Sequence, residues 1–315
     1  MNIIELEANV KIVAIILTYN EEKHLSRCLS NVMDVVDEVY VIDCYSSDAT
    51  VDIARSYGAH ILANEWVNHA HQFNWALSQL DNIDWVLRID ADEVITDELK
   101  NQIKNKLHLL DSNINGVYLN RRINFLGHEI KYGGVFPTEV LRLFRFGYGE
   151  CEYRWMDEHI KVEGQVTNLS GEIIDDNLNS LTWWTEKHNK YSSLEAIEML
   201  NLEYRFMGLI PEKESRIKGK AGIKRWIKDK IYAQLPGGCR AFIYFLYRYV
   251  LRFGFLDGSE GSAFHILQGF WYRYLVDVKV AEVKDYSQKN KVSIPVSIER
   301  LLGIKVKEKS NTVGS

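Results

Sequence analysis

The chain has 315 residues, of which 46% are hydrophobic and 26% are charged, a composition that excludes a mainly disordered protein. The formal net charge is −5, but its distribution is uneven. Residues 211–253 contain eleven Lys and Arg against three acidic residues, a segment charge of +8. A basic segment in an acidic protein predicts an anionic surface as partner.

The four cysteines have neither the spacing of a zinc site nor that of a disulfide framework, and they favour a reducing compartment: Cys28, Cys44, Cys151 and Cys239. The N-terminal residues lack the basic-then-apolar order of a signal peptide, and no apolar run reaches the roughly 18 residues of a spanning helix. We therefore expect a cytoplasmic protein that lies peripherally on the inner face of the cytoplasmic membrane.

The first 120 residues alternate short apolar runs, typical of buried strands, with amphipathic runs typical of helices. This alternation predicts an α/β fold with a mostly parallel sheet flanked by helices. The predicted strands are 13–17, 38–42, 59–62 and 85–89, and the predicted helices are 21–33, 48–57 and 69–79.

The pattern changes after residue 116 to shorter strand-like pieces, and from residue 181 it becomes helical. We expect three parts: an α/β core over residues 1–170, a helical region over 171–304, and a disordered tail over 305–315.

Polar residues follow three of the predicted strands, at 18–22, 43–48 and 90–93. Ligands of such sheets bind outside the carboxyl ends of the strands, so these segments are the first candidates for a site. Each also has a local interpretation, since Asn20 and Asp48 are good helix N-caps.

The sharpest of these motifs is Asp90-Ala91-Asp92. Two carboxylates this close repel one another, and a divalent cation relieves the repulsion. Mg²⁺ and Mn²⁺ take carboxylate oxygens together with substrate phosphates. The motif therefore predicts a divalent metal site, the alternative being an acidic start to a loop.

Eight sequence motifs belong together: Val13–Glu22, Val41–Thr50, Asn74–Leu77, Leu87–Glu93, Trp155–His159, Asp176–Leu178, Trp183–Asn189 and Gly254–Gly258. In these motifs the sequence resembles the family 2 glycosyltransferases of the GT-A fold, in particular the bacterial branch that builds lipopolysaccharide core and exopolysaccharide. The resemblance extends to about residue 282, and with it we expect residues 1–170 to form the nucleotide-sugar-binding and catalytic core and residues 171–304 to bind the acceptor or the membrane.

The resemblance implies that Thr18, Tyr19 and Glu21 line the pocket for the base and ribose of a nucleotide-sugar, with Asp43 accepting from the base. Asp90 would contact the ribose or donor sugar. One departure concerns Cys44-Tyr45, where the family usually has a small residue.

For the metal and the proton transfer, the resemblance implies Asp92 as the metal ligand that bridges the diphosphate. Glu158 would be the base that deprotonates the acceptor, with Asp157 as the second choice. Only one of the two is expected to face the acceptor, because adjacent side chains of an extended segment point to opposite faces. His159 is a candidate second metal ligand or a donor to phosphate. The alternative for this segment is a turn leading into a strand.

Candidate acceptor residues follow from their chemistry. Trp183 and Trp184 could stack on sugar rings, although a core role suits at least one of them. Arg142 and Arg145 could bind phosphate or an anionic acceptor, or they could be exposed charges on a strand edge.

The basic segment and the aromatic run 242–253 suit a helix at the interface of an anionic leaflet. A buried helix packed on the core is the alternative. Nucleic acid is not expected as a partner, because no recognition motif accompanies the basic residues.

The function expected from these residues is inverting transfer of a sugar, in particular from a UDP-hexose, to a lipid-linked saccharide. A sugar nucleotidyltransferase is excluded because residues 18–22 contain no glycine for a triphosphate loop. A non-catalytic scaffold that binds saccharide or nucleotide-sugar at the membrane is the remaining alternative.

Overall fold

The computed structural model describes residues 10–152, 159–207 and 238–306. These residues form two compact units, one up to Asn179 and the other from Ser180 onward. The three-part division drawn from the sequence stays a prediction. Within the described ranges no helix is long and apolar enough to cross a membrane.

The first unit is built on one large mixed sheet, in the order β3-β2-β1-β4-β8-β6-β11-β5 with β7 beside β6, and a separate hairpin of β9 and β10. The strands are β1 (Ile12–Thr18), β2 (Glu38–Asp43), β3 (His60–Ala63), β4 (Trp85–Arg88), β5 (Glu93–Ile95), β6 (Ile114–Phe125), β7 (His128–Ile130), β8 (Thr138–Arg145), β9 (Gly149–Cys151), β10 (Ile160–Val162) and β11 (Gln165–Asp176).

The first four strands in sequence are all parallel, as the alternation of strands and helices predicts. Antiparallel pairing begins where β8 joins β4 and continues from β8 to β6. Strand β11 then runs parallel to β6 and antiparallel to β5. The expected α/β fold, a sheet flanked by helices, is confirmed, and the sheet has a parallel half and a mixed half.

The helices of the first unit are α1 (Leu25–Val32), α2 (Thr50–Ser56), α3 (His69–Ser78) and α4 (Asp97–Lys106). The side chains of Asn68 and Thr96 accept the backbone N–H groups of His71 and Leu99, which caps α3 and α4.

Strand β1 is buried on both faces because successive side chains alternate across the sheet. Ala14 and Ile16 belong to one apolar core with residues of α1 and α4. Val13 and Ile15 belong to a second core with residues of α3. Two apolar cores therefore hold the central strands, one on each face of the sheet.

The second unit is helical, as expected for a C-terminal extension. Its helices are α5 (Leu181–Tyr204), α6 (Cys239–Leu246), α7 (Gly258–Phe264), α8 (Tyr272–Asn290) and α9 (Ile294–Leu302), with π-helical segments at Tyr247–Leu251 and His265–Trp271. Helix α5 packs on α8, and their core includes Ile197, Leu200, Val283 and Ile298.

Candidate active site

The carboxyl ends of the parallel strands place the predicted residues along one edge of the sheet. Thr18 is directly opposite Asp43 in the register of β1 and β2. Arg88 is opposite Ile15 at the end of β4, so Asp90 follows two residues past the strand. The sheet thus brings the polar ends of β1, β2 and β4 to neighbouring positions at one edge.

Two loops at this edge are joined by backbone and side-chain hydrogen bonds. Asn20 has a left-handed backbone (φ 56°), and its N–H donates to the Ser46 hydroxyl at 2.8 Å. Its side-chain oxygen accepts the N–H of Ser47 at 2.8 Å. The backbone N–H of Glu21 donates to the Thr50 hydroxyl at 2.7 Å. The loop after β1 is therefore fixed to the loop after β2.

Asp43 is the anchor of this arrangement. Its carboxylate accepts the Thr18 hydroxyl at 2.9 Å and both the N–H and the hydroxyl of Ser46, at 2.8 and 2.6 Å. The residue is only 3% exposed. Its expected contact with a base stays a prediction, and in this structure it fixes the turn.

Exposed aromatic rings stand on the same two loops. Tyr19 is 62% exposed and Tyr45 is 64% exposed, with Tyr45 in a left-handed conformation. Tyr45 belongs to the pair Cys44-Tyr45, at which the sequence departs from the pattern that it resembles, and its large ring is exposed there.

A buried histidine, which the sequence reasoning did not single out, joins the first loop to the end of β11. His24 Nε2 accepts the backbone N–H of Leu178 at 2.9 Å. That acceptor role leaves the proton of the neutral ring on Nδ1, which lies 2.7 Å from the carboxylate of Glu21. Glu21, expected in the ribose pocket, is thus oriented by His24.

Asp90 belongs to a three-residue ionic cluster rather than standing alone. One guanidinium nitrogen of Arg142 lies 2.7 Å from a carboxylate oxygen of Asp90 and 2.7 Å from one of Glu93. The carboxylate of Glu93 also accepts the N–H of Asp90 at 2.9 Å. Arg142 is 6% exposed and Glu93 is 1% exposed.

The electrostatics of this cluster are uneven. Burial opposes ionisation of Asp90, but Arg142 and Arg88 outweigh it and hold the pKa of the Asp90 carboxyl below its ordinary value. Burial and the repulsion of Asp90 together raise the pKa of Glu93 to about 8, although the attraction of Arg142 acts in the opposite direction. Burial lowers the pKa of Arg142, but the two carboxylates outweigh it and the pKa lies above the ordinary value.

Arg142 is therefore not an exposed charge on a strand edge, which was one of its two interpretations. Its other predicted role, in acceptor binding, stays a prediction. Arg145 donates from Nε to the Ile114 carbonyl at 2.9 Å, and its guanidinium lies 4.7 Å from the Trp85 ring centre.

Asp92 has a different environment from Asp90. One of its carboxylate oxygens accepts the side-chain amide of Asn177 at 2.9 Å. Its carbonyl accepts the N–H of Asp176 at 3.0 Å, and Arg27 holds Asp176 through an ion pair of 2.5 Å. No described residue donates to the other carboxylate oxygen of Asp92. That oxygen is the ligand a divalent cation would use.

The donor set fits a cation that completes its shell with substrate phosphates, because one available carboxylate is enough for such a site. It does not fit a site made of protein alone. Among the described residues no group of three or more His, Cys, Asp or Glu is arranged to hold a metal. Because Asp90 is ion-paired with Arg142, Asp92 is the carboxylate of the motif that is available to a metal.

His159 and the predicted bases lie on the segment between β9 and β10. His159 is 70% exposed at its side chain, and its Nδ1 lies 3.1 Å from a carboxylate oxygen of Glu152. Its role as a metal ligand stays a prediction. Asp157 and Glu158 lie outside the described residues.

The side chain of Asn74 forms a paired contact with the backbone at the end of β9. Its amide donates to the Cys151 carbonyl, and its oxygen accepts the Cys151 N–H, both at 2.8 Å. This contact fixes the end of β9. Asn74 and Asn177 both belong to motifs of the resemblance to which no role was attached.

Trp183 and Trp184 lie in the second unit, in the first turn of α5. Both are half-buried. Lys187 Nζ lies 4.7 Å from the Trp183 ring centre, and the ring of His188 stacks on Trp184 at 3.5 Å. Their predicted role as an acceptor platform stays a prediction.

Comparison with known proteins identifies one family model. Residues 13–127 match the model described as glycosyl transferase family 2. An uncharacterized glycosyltransferase of Rickettsia typhi is 42% identical over 94 residues, 30% of this chain and 32% of the relative. The glycosyltransferase SunS of Bacillus subtilis, derived from prophage SPbeta, is 32% identical over 98 residues, 30% of this chain and 23% of that protein. The chain spans about a third or less of the length of these curated relatives.

Two solved structures show more distant likeness. A mannosyltransferase from Pyrobaculum calidifontis, in complex with GDP-Man and Mn²⁺, is 14% identical with a TM-score of 0.47, covering 87% of this chain and 88% of its own. Glucosyl-3-phosphoglycerate synthase from Mycobacterium tuberculosis, with Mn²⁺ and UDP, is 19% identical with a TM-score of 0.31, covering 38% and 46%.

Proposed function

We propose that this chain, whose residues 13–127 match the family 2 glycosyltransferase model, transfers a sugar with inversion from a nucleotide-sugar, in particular a UDP-hexose. The observation that carries the proposal is the difference between the two carboxylates of Asp90-Ala91-Asp92. The Asp90 carboxylate is ion-paired with Arg142, whereas one carboxylate oxygen of Asp92 accepts no hydrogen bond from the described residues.

The proposed cofactor is Mn²⁺ or Mg²⁺, held by Asp92 together with oxygens of the donor diphosphate, with His159 as the proposed second ligand. Bound there, the metal would neutralise the charge that develops on the departing diphosphate. Thr18, Tyr19, Glu21 and Asp43 would hold the base and ribose, and Asp90 the ribose or donor sugar.

Proton transfer is assigned to a carboxylate on the segment after β9. Glu158, or Asp157 in its place, accepts the proton of the acceptor hydroxyl as that oxygen attacks the anomeric carbon. The bond from the anomeric carbon to the diphosphate breaks, and the diphosphate leaves from the opposite face.

The proposed acceptor is a lipid-linked saccharide of bacterial cell-surface polysaccharide or lipopolysaccharide, with Trp183, Trp184 and Arg142 as its candidate contacts. The protein would meet it peripherally, on the inner face of the cytoplasmic membrane. The charge of +8 over residues 211–253 supports an anionic membrane surface as partner.

The proposal is tested with Asp92→Asn. We expect release of nucleoside diphosphate from a panel of nucleotide-sugars, measured with Mn²⁺ or Mg²⁺, to fall by about 100-fold or more, because the amide cannot supply an anionic ligand. Asp97→Asn is the matched control, since that carboxylate is 97% exposed at its side chain on α4. Unchanged turnover in Asp92→Asn would refute the metal site.

Glu158→Gln separates the base from the donor site. Transfer should be lost while thermal stabilisation by the donor is kept, because the amide cannot accept the proton. Loss of donor binding would mean that the base is elsewhere. A parent protein that binds donors but turns over none would favour the non-catalytic scaffold.

A further inference from the structure

The helical hairpin of the second unit, residues 239–274, has an unusual distribution of polarity. It consists of α6 with its π-helical extension, which leads into a tip at residues 250–256, and a returning helix that begins at Gly258. Nine of the fifteen residues from Phe242 to Leu256 are large, apolar and exposed. Leu251 is 68% exposed, Phe253 55% and Leu256 54%.

Three ionisable side chains of the same hairpin are directed inward, whereas Arg252 is exposed. Arg248 is 6% exposed, Asp257 3% and His265 0%. Arg248 donates to the side-chain oxygen of Gln268 at 2.6 Å, and the Asp257 carboxylate lies 3.6 Å from His265 Nε2. A water-soluble helical surface has the opposite arrangement, with apolar groups inside and charges outside.

Two glycines make this inward packing of polar groups possible. A Cβ on Gly254 would lie 2.6 Å from His265 Nε2, and one on Gly261 would overlap the Cβ of Asp257 at 2.0 Å. Gly254 and Asp257 belong to the motif Gly254–Gly258, which the proposed transfer reaction does not use. The motif therefore closes the tip of the hairpin around its polar core.

Apolar residues outside and paired polar residues inside are the arrangement of a segment surrounded by hydrocarbon. The positive charge of the neighbouring sequence favours an anionic lipid surface, rather than a second protein, as the partner. Residues 211–253 carry a net +8, and only Arg248 and Arg252 are charged between Ala241 and Leu256. A basic segment next to an apolar hairpin matches an anionic headgroup layer above hydrocarbon.

We propose that the tip of this hairpin, residues 250–256, inserts into one leaflet of an anionic bilayer and anchors the chain there. The inference deepens the membrane association proposed above and rests on it. Its apolar side chains enter the acyl boundary, while Arg248, Asp257 and His265 remain shielded inside the hairpin.

The experiment is flotation of the full-length chain with vesicles of phosphatidylethanolamine and phosphatidylglycerol. The variant Leu251→Ser/Leu256→Ser removes two exposed leucines from the tip. The control, Leu109→Ser/Leu202→Ser, removes two leucines of matching exposure, 70% and 55%, outside the hairpin. We expect the partition coefficient to fall at least about tenfold for the tip variant, because burial of a single leucine side chain is worth about 1.5 kcal/mol or more. For the control we expect the partition coefficient to change less than about twofold.

Other outcomes overturn the inference in different ways. Equal loss in both variants, or no flotation of the parent, would refute the inserted tip. Flotation that salt abolishes but the tip variant does not alter would assign binding to the basic residues alone. A dimer in light scattering that the tip variant dissociates, without vesicle binding, would make the surface a contact between copies.

A second readout keeps this inference apart from the transferase proposal. Release of nucleoside diphosphate from a soluble nucleotide-sugar is measured on the same samples. The tip variant should keep it and lose flotation, whereas Asp92→Asn should lose it and keep flotation. Loss of both by the tip variant would show a folding defect and refute a role limited to anchoring.

Discussion

The side chain of Arg142 connects the candidate site with the sheet beneath it. It lies on β8 and contacts carboxylates of Asp90 and Glu93, some fifty residues earlier in the chain. One buried guanidinium therefore serves the buried Glu93 and the partly exposed Asp90, whose side chain is 39% exposed. Removing it leaves both carboxyl groups without that partner, which costs up to several kcal/mol.

We expect Arg142→Met to lower the free energy of unfolding by about 3 kcal/mol, because Asp90 loses its nearest counter-charge and Glu93 loses its hydrogen-bond donor. Adding Glu93→Gln should cost less in this background than alone, by at least about 0.5 kcal/mol, because its contact with Arg142 is already lost. Urea unfolding of the two single variants and the double variant measures the coupling. Strictly additive effects would contradict a shared cluster.

At the residue scale, sequence reasoning located the acidic motif but not its partners. Asp90 and Asp92 were identified because they follow a buried strand. Arg142 was assigned to exposed charge or ligand binding, because nothing local reveals that antiparallel pairing of β8 with β4 brings it near Asp90. His24 was missed for the same reason: its partner Leu178 is 154 residues away.

Among the elements, β11 is confined by strands on both sides. It lies between β6 and β5, and its pairing with β6 shifts register between Asn168 and Glu172. Gly171 sits in this irregularity with φ 94°, and a Cβ there would lie 2.4 Å from the backbone nitrogen of Leu99. The glycine therefore permits β11 to approach the first turn of α4.

Gly171→Ala should reduce the free energy of unfolding by about 3 kcal/mol or more, because it combines a left-handed alanine with a backbone overlap. Gly127→Ala is the matched control, with φ 77° and no atom within 4 Å of the added Cβ. It should cost about 1 kcal/mol. Urea denaturation of both variants provides the comparison, and equal losses would mean that β11 and α4 separate readily.

Element prediction succeeded where the pattern was local. Alternating apolar runs predicted β1 to β4 and the helices between them. The order of β8, β6, β11 and β5 depends on pairing between distant segments, which periodicity does not encode. The mixed half of the sheet could therefore not be drawn from sequence alone.

For the molecule as a whole, acid should weaken the helical unit selectively. Burial lowers the pKa of His188 to about 4. The hydrogen bond to the Trp184 carbonyl opposes this shift, and the charge of Lys187 adds to it. Burial and Arg248 also lower the pKa of His265 to about 4, against Asp257. Each ring folds neutral, so its contribution is complete above about pH 6.5 and is lost as pH falls towards 4.

His188→Phe keeps a ring against Trp184 but removes the titrating group. We expect it to reduce the loss of unfolding free energy between pH 7 and pH 4.5 by about 1 kcal/mol, with the remaining slope from His265 and the carboxylates. Urea unfolding followed by tryptophan fluorescence at both pH values tests this. His108→Phe, at an exposed histidine of the first unit, is the control. If His188→Phe lost as much unfolding free energy between the two pH values as the parent protein, the assignment would be wrong.

The position of β11 also bears on how the first unit is assembled during synthesis. The segment that matches the family model ends at residue 127, before β8 and β11 begin. At that point β4 lacks its outer neighbour, and β5 has no strand to pair with, since β11 is its partner. The nascent chain must therefore emerge to Asp176 before the acidic motif is held from both sides, and a fragment cut at residue 127 would expose open sheet edges prone to aggregation.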